Sequence, residues 1–221
     1  MIKIGLDLDG VLCDFNTSFL RLLQEIHGGQ LGPSVADGQR YMPDRWNWCP
    51  ALGFSRAEID AAWHHVQAPS TAFWEQLEPL YPHDAMCELI DRLAIFQYNK
   101  RSVAEPFEVY FLTSRPGPTA RLQSLKWLYR YTARNLTVLI TSRKGHVAHG
   151  LGLDLVIDDH VENVLSVLRE SETHATLFEQ PYSANHLCVP DPDNGRLSIV
   201  EPTYQGLITA LSRAIPPGML P

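Results

Sequence analysis

The chain of 221 residues sets 18 Lys and Arg against 25 Asp and Glu, for a formal charge of −7 and a pI near 5.7, and it has no polybasic run. That balance excludes a protein that grips nucleic-acid backbone through clustered cations, while an apolar content of 45% supports one good-sized packed domain, or a core with a smaller insert. The four cysteines, Cys13, Cys49, Cys87 and Cys188, form no close pair, which suits reduced thiols in a cytoplasmic setting, and a zinc site built from Cys49 or Cys87 with His83 would lack ligand-like spacing.

The opening stretch "MIKIGLDLDGVLCDF" reads as a buried strand, Ile2, Ile4, Leu6 and Leu8, that ends by placing Asp7 and Asp9 two residues apart. In a regular strand these carboxylates would share a face and repel, so either a cation lies between them or the backbone turns. No charged stretch followed by a long apolar segment opens the chain, so neither a signal peptide nor a membrane span is expected. Past Asp14 the pattern becomes helical, with Phe15, Phe19, Leu22, Leu23 and Ile26 on one face and "HGG" closing it. Residues 28–50 read as loop, with aromatic residues gathered in "RWNW". "SRAEIDAAWHHV" opens a helix with Ser55 and Glu58 at capping-box spacing. "HDAMCELIDRLAIF" is a further amphipathic helix, its apolar side drawn from Met86, Leu89, Ile90, Leu93 and Phe96.

After Pro106 apolar strand-like runs alternate with helical ones: "FEVYFLT", "PTARLQSLKWLYRY", "NLTVLIT", "LDLVIDD", "VENVLSVLRE" and "HATLF". This alternation predicts an α/β fold with a parallel sheet covered on both faces, to which the opening strand belongs. Ligands bind beyond the carboxyl ends of such strands. There the sequence places Asp7 and Asp9, then Thr113 and Ser114, then Thr141 and Ser142 with Lys144 behind, then Asp158 and Asp159. Taken together they supply carboxylates for a hard divalent cation, donors for phosphate oxygens and a lysine to balance charge. Singly, each has a structural alternative: an Asx turn at Asp7 and Asp9, a capping turn at "LTS", a solvated Lys144, and Asp159 as the cap of a helix starting near Val161.

The ordered set "DLDGVLCDF", "FLTSR", Lys144 and "IDD" resembles the haloacid dehalogenase superfamily. The resemblance implies a Rossmann-like sheet core over residues 1–15 and 81–221, with a small helical cap, residues 16–80, inserted after the first strand. It implies Asp7 as nucleophile and Mg²⁺ ligand, and Asp9 as general acid and base that lends its backbone carbonyl to the metal. Asp158 completes the metal set, with Thr113, Ser114 and Lys144 on the phosphate, and Asp159 acts through water or caps the next helix. The acid at position 9 favours phosphate transfer to water over dehalogenation or ion pumping.

Within the superfamily, "FWEQLEPLYPHDAMCEL", "ITSRKGHVAHGLGLDLVIDD" and "ATLFEQPYSANHL" are similar to the 5'(3')-deoxyribonucleotidases. That similarity implies a nucleoside monophosphate substrate and a base held by cap aromatics: Phe73 and Trp74 by motif, with Trp46 or Trp48 as a second wall. Adjacent helical residues diverge by roughly 100°, so one of Phe73 and Trp74 is expected to face the substrate. Trp46, Trp48 and Trp63 fit the core of a small helical insert equally well. Arg115 stands where relatives carry proline, and reads either as a grip on a phosphate or sugar oxygen or as a surface charge. A phosphatase for sugar phosphates or other small metabolites, and a non-catalytic nucleotide-binding protein, are the alternatives. No nucleic-acid or membrane partner is expected, and oligomeric state is open, a homodimer included.

Overall fold

The computed structural model describes residues 1–36, 38–98, 107–184, 195–216 and 218–221. The side chain of Phe96, and Cys188, lie outside the described residues. In chain order the elements are β1 (Ile2–Asp7), β2 (Cys13–Asp14), α1 (Phe15–His27), α2 (Trp48–Ala51), α3 (Arg56–Gln67), β3 (Glu78–Pro79), α4 (His83–Tyr98), β4 (Phe107–Thr113), α5 (Ala120–Leu128), β5 (Thr137–Ile140), α6 (Lys144–Leu151), β6 (Leu155–Asp158), α7 (Val161–Glu170), β7 (His174–Phe178), α8 (Pro181–Ala184), β8 (Leu197–Val200) and α9 (Tyr204–Leu211). Among the described residues, no helix is long and apolar enough to cross a membrane.

Six strands form one parallel sheet in the order β5-β4-β1-β6-β7-β8, the α/β architecture expected from the alternation of strands and helices. β1 lies inside the sheet, flanked by β4 and β6, so the chain runs outward to one side and then returns to build the other. Crevices at the carboxyl ends of strands arise where the order reverses in this way. Register aligns Asp7 with Leu112, one residue before Thr113, and Leu6 with Ile157, one residue before Asp158. The polar ends of β1, β4 and β6 therefore meet at one level.

The sheet buries apolar residues on both faces. Ile4, Leu6, Phe111 and Ile157 join one cluster, whereas their neighbours Leu112 and Val156 join another with residues of α6 and α7. Gly5 lets the layers close, because a Cβ there would press on the side chains of Leu112, Leu153 and Val156. β8 and α9, which the sequence patterns do not announce, extend the sheet and cover it.

Between β2 and β3 the chain builds α1, α2 and α3, and the antiparallel pairing of Cys13 with Pro79 and Asp14 with Glu78 closes the base of this excursion. Asp14 caps α1 by accepting from the Thr17 N–H, and Gly28 ends that helix in the left-handed conformation. The capping box of Ser55 and Glu58 at the start of α3 is present as expected. α3 packs on α1, and their facing sides carry the aromatic residues Phe15, Phe19 and Trp63.

α6 is docked on α7 at Gly145. Its N–H donates to Ser166 Oγ at 3.0 Å, and a Cβ there would run into the Ser166 carbonyl. This contact fixes the first turn of α6, and with it Lys144. Alanine favours a helix over glycine by about 1 kcal/mol, yet Gly145→Ala should lower stability by about 1–3 kcal/mol, because overpacking here pushes α6 from α7. Urea denaturation of the two proteins measures the difference, and a stabilised variant would contradict the packing described.

Candidate active site

The backbone turns immediately after Asp7. Leu8 O accepts from the N–H groups of Leu12 and Cys13, Gly10 N–H donates to Cys13 O, and Asp9 bridges to Cys13. Asp9 therefore leaves the regular strand, and the two carboxylates acquire different partners. Gly10 holds φ at +77°, and any Cβ would overlap the Asp159 carboxylate and the Tyr182 hydroxyl, so the turn requires glycine.

Asp7 is buried; its Oδ1 accepts the Leu8 N–H at 2.8 Å and its Oδ2 lies 2.8 Å from Lys144 Nζ. Lys144 is 1% exposed, which rules out a solvated surface charge, and its Nζ also lies 2.5 Å from Asp158 Oδ2. Burial works against the ammonium, but the two carboxylates more than offset it and hold its pKa above the ordinary lysine value. Asp7 is pushed up to about 7, chiefly by burial, with Asp158 and Asp9 adding repulsion and Lys144 opposing.

Asp158 is fully buried and inward-facing. Beyond Lys144 it accepts from the His160 N–H at 2.9 Å and from Asn163 Nδ2 at 3.0 and 3.2 Å. It does not line the cavity over the strand ends, whereas Asp159 does. Asp158 nonetheless stays within reach of Asp7 and Asp159, and so keeps its place in the acidic group expected to hold a metal, behind the wall to which Asp159 contributes. Asp159 does not cap α7. Its carboxylate accepts from the Tyr182 hydroxyl, its carbonyl accepts from Ser183 Oγ at 2.6 Å, and His160 stands at the cap position. Burial, then Asp7 and Asp158, raise the Asp159 pKa well above the usual carboxylate range.

Asp7, Asp158 and Asp159 each offer an oxygen within 4.8 Å of the others, the one group among the described residues able to hold a metal ion in this way. Four carboxylates, counting Asp9, face the two cations Lys144 and Arg115, and the surplus of two negative charges matches one divalent cation. The donors are hard oxygens, as Mg²⁺ requires. The residues present therefore fit such an ion. Zinc through Cys87 and His83 does not gain support: the two approach at 3.4 Å, but no third ligand joins them among the described residues.

Thr113 is buried with its Oγ1 3.4 Å from Asp9 Oδ2, and Ser114 lines the cavity while donating to the Thr141 carbonyl at 2.9 Å. Arg115 lines the same cavity. It is 2% exposed, so it is no surface charge, and its fork rests on Asp9, through Nε to Oδ2 at 2.9 Å and Nη2 to Oδ1 at 2.7 Å.

Above these groups lies a cavity of about 450 Å³. Its aromatic wall is formed by Phe15, Phe19, Trp46, Trp48, Trp63 and Trp74, with the carboxamides of Asn16 and Asn47. Of the adjacent pair, Trp74 lines the cavity. Phe73 is not on that wall; it packs against Phe15 and Phe19. Trp74 is seated by Gln123 Oε1, which accepts its backbone N–H at 3.0 Å, and by the Pro116 carbonyl, which accepts from Nε1 at 3.2 Å. Trp46 is 55% exposed and reaches across the mouth to His160, ring centroids 4.0 Å apart, and to Tyr182. Trp48 is buried, its Nε1 donating to Asn16 Oδ1 at 3.2 Å. Asn163, Tyr182 and Phe15 were not legible as site residues. Asn163 sits one turn into a helix behind the acidic pair, Tyr182 has no local signal, and Phe15 reads equally as helix core.

No protein-family model and no curated protein matches the sequence. Among solved structures, a HAD family hydrolase from Deinococcus radiodurans with bound phosphate and sodium superposes with a TM-score of 0.50 at 15% identity, covering 99% of this chain and 96% of its own. A haloacid dehalogenase-like family hydrolase from Xanthomonas campestris reaches 0.49 at 13% identity, over 97% and 91% of the two chains. At such identities the first likeness speaks for the fold alone: the chain has the α/β sheet architecture of the HAD-type hydrolases.

The raised pKa of Asp7 has a consequence for stability without metal. Between the unfolded value of 3.8 and about 7 the folded protein holds a proton that the unfolded chain has released, so stability falls as pH rises through that window. Thermal melts in chelator should show Tm dropping from pH 4.5 to pH 7.5. At the higher pH, Mg²⁺ should restore it by binding the folded state, and Asp159→Asn should lose most of that gain. A Tm in chelator that rises over the same range would contradict the charge balance.

Proposed function

We propose that this protein is a Mg²⁺-dependent phosphomonoesterase that hydrolyses nucleoside monophosphates through a phosphorylated Asp7. The observation that carries the reading is the meeting of Asp7, Asp9, Lys144 and Asp159 at the strand ends, directly beneath a cavity walled by aromatic rings.

Asp7 is the one of these carboxylates at the end of a strand with a lysine against it, a suitable nucleophile for phosphorus. Its Oδ bonds to phosphorus as the bond to the leaving oxygen breaks, and Asp9 passes a proton to that oxygen. Water then attacks the aspartyl phosphate, giving its proton to Asp9 and freeing phosphate and Asp7. Lys144 lowers the repulsion between the Asp7 carboxylate and the incoming dianion, and Thr113 and Ser114, which line the cavity, would turn their hydroxyls from Asp9 and Thr141 to the phosphoryl oxygens. Mg²⁺ would be held by carboxylates drawn from Asp7, Asp158 and Asp159 with the Asp9 carbonyl, and when bound it would supply Lewis-acid neutralisation of the phosphoryl charge.

The substrate class rests on the cap side. A volume of about 450 Å³ falls within the roughly 300–1,000 Å³ of small-molecule sites. Its walls are rings, which suit a flat base better than a sugar bearing only hydroxyls, and Asn16 and Asn47 offer amide groups to a base edge. A cap built for sugar phosphates would present a polar wall. Retention of both Asp7 and Asp9 speaks against a purely binding role.

A phosphate-release assay over deoxy- and ribonucleoside monophosphates, sugar phosphates and glycerol phosphate tests the reading. Asp7→Asn should reduce turnover at least a hundredfold, and chelation should silence the wild type until Mg²⁺ is returned. Trp46→Ala, at a half-exposed position over the cavity mouth, should cost about 1–3 kcal/mol of transition-state binding on a nucleotide, or ten- to a hundredfold in kcat/KM. Glycerol phosphate, which carries no ring, should lose far less. Equal losses on both would return the substrate to the small-metabolite class.

A further inference from the structure

We infer that Arg115 is a positioning residue that fixes the orientation of the Asp9 carboxylate and ties it to the cap through Trp74. The inference rests on the phosphomonoesterase reading and assigns a role that neither expectation for Arg115 contained.

The side chain of Arg115 is wholly buried. An arginine withdrawn from water costs several kcal/mol unless its donors are matched. Here the match is specific. Two parallel N–H bonds hold both oxygens of Asp9, at 2.9 and 2.7 Å, so the carboxylate cannot rotate without breaking one of them. The rest of the guanidinium is anchored as well, with Nη1 donating to Ser124 Oγ at 3.0 Å and Nη2 to Cys13 Sγ at 3.1 Å. Ser124 is itself tied down, its hydroxyl donating to the Ala120 carbonyl at 2.8 Å within α5. The face of the guanidinium lies on the Trp74 ring, 5.1 Å from its centroid.

Asp9 needs such a brace because it stands in a turn beyond the strand, where an isolated bridge to Cys13 takes the place of a continuous ladder. Its other neighbour, Thr113 Oγ1, lies at 3.4 Å, close to the limit of a hydrogen bond. The proton transfers assigned to Asp9 require an oxygen aimed at the leaving group in the first half-reaction and at water in the second, and proton transfer is sensitive to that aim. Arg115 lines the cavity, but the two donors of its fork are spent on Asp9, so it acts through Asp9. Trp74, which also lines the cavity and stacks on Phe15, makes the brace continuous with the surface that receives the substrate.

The test compares leaving groups. 4-Nitrophenolate departs without a proton, whereas the sugar alkoxide of a nucleotide needs one. Arg115→Lys keeps the charge and loses the fork. In rapid-mixing experiments its first turnover on dTMP should slow ten- to a hundredfold, while its first burst of 4-nitrophenol from 4-nitrophenyl phosphate should stay within about threefold of wild type. KM for either substrate should change little. Equal slowing on both substrates would make Arg115 a structural residue, and a rise in KM with unchanged turnover would make it a phosphate ligand; either result overturns the inference, as does an unaltered enzyme. If Arg115→Lys fails to fold, Ser124→Ala, which removes one anchor and leaves the arginine, should show the same selective loss at smaller size, and its absence there overturns the inference too. A wild-type protein silent on both substrates overturns the phosphomonoesterase reading itself, an outcome distinct from any change confined to the variants.

Discussion

Lys144 stands between Asp7 and Asp158, with its Nζ 2.8 and 2.5 Å from their oxygens, and burial turns this placement into a constraint on everything around it. Two carboxylates at neighbouring strand ends would otherwise repel across a medium that screens poorly. The ammonium can stand there only if α6 begins at the right height, which the close approach of Gly145 to α7 secures, and only if Asp158 is held by further donors, which His160 and Asn163 provide. Asp158 thereby serves as the fixed counter-ion. The surplus negative charge falls on Asp7 and Asp159, the groups whose pKa values rise.

The site is thus divided between two kinds of support. The sheet supplies rigid positions at the ends of β1, β4 and β6, where register alone brings Asp7, Thr113 and Asp158 level. The segment between β2 and β3 supplies an apolar wall, docked to the sheet layers by Gln123 beneath Trp74 and by Trp46 over His160 and Tyr182. In the proposed reading, phosphate chemistry belongs to the first and substrate choice to the second. Arg115 joins them, with Asp9 on its fork and Trp74 on its face.

How much of this the sequence made legible follows from the range of the interactions involved. A carboxylate or hydroxyl that ends an apolar run conflicts locally with burial, so Asp7, Thr113 and the Asp158 and Asp159 pair stand out without a structure. The choice between neighbours does not, because it turns on which way each side chain leaves the strand and on partners far along the chain. Asp159 meets Tyr182 across 23 residues and Arg115 meets Asp9 across 106, and no local pattern announces either. Phe73 and Trp74 present the same difficulty on the cap side. β8 escaped notice for another reason: "LSIV" is short and follows a stretch rich in proline and aspartate.

The central claim is that Asp7 becomes phosphorylated during turnover. Rapid acid quench of the wild-type protein turning over a nucleoside monophosphate, borohydride reduction of any acyl phosphate and mass spectrometry of the N-terminal peptide test it directly. Conversion of Asp7 to homoserine, dependent on substrate, is the result predicted. Turnover with the label on another residue, or with no acyl phosphate formed at all, would contradict it.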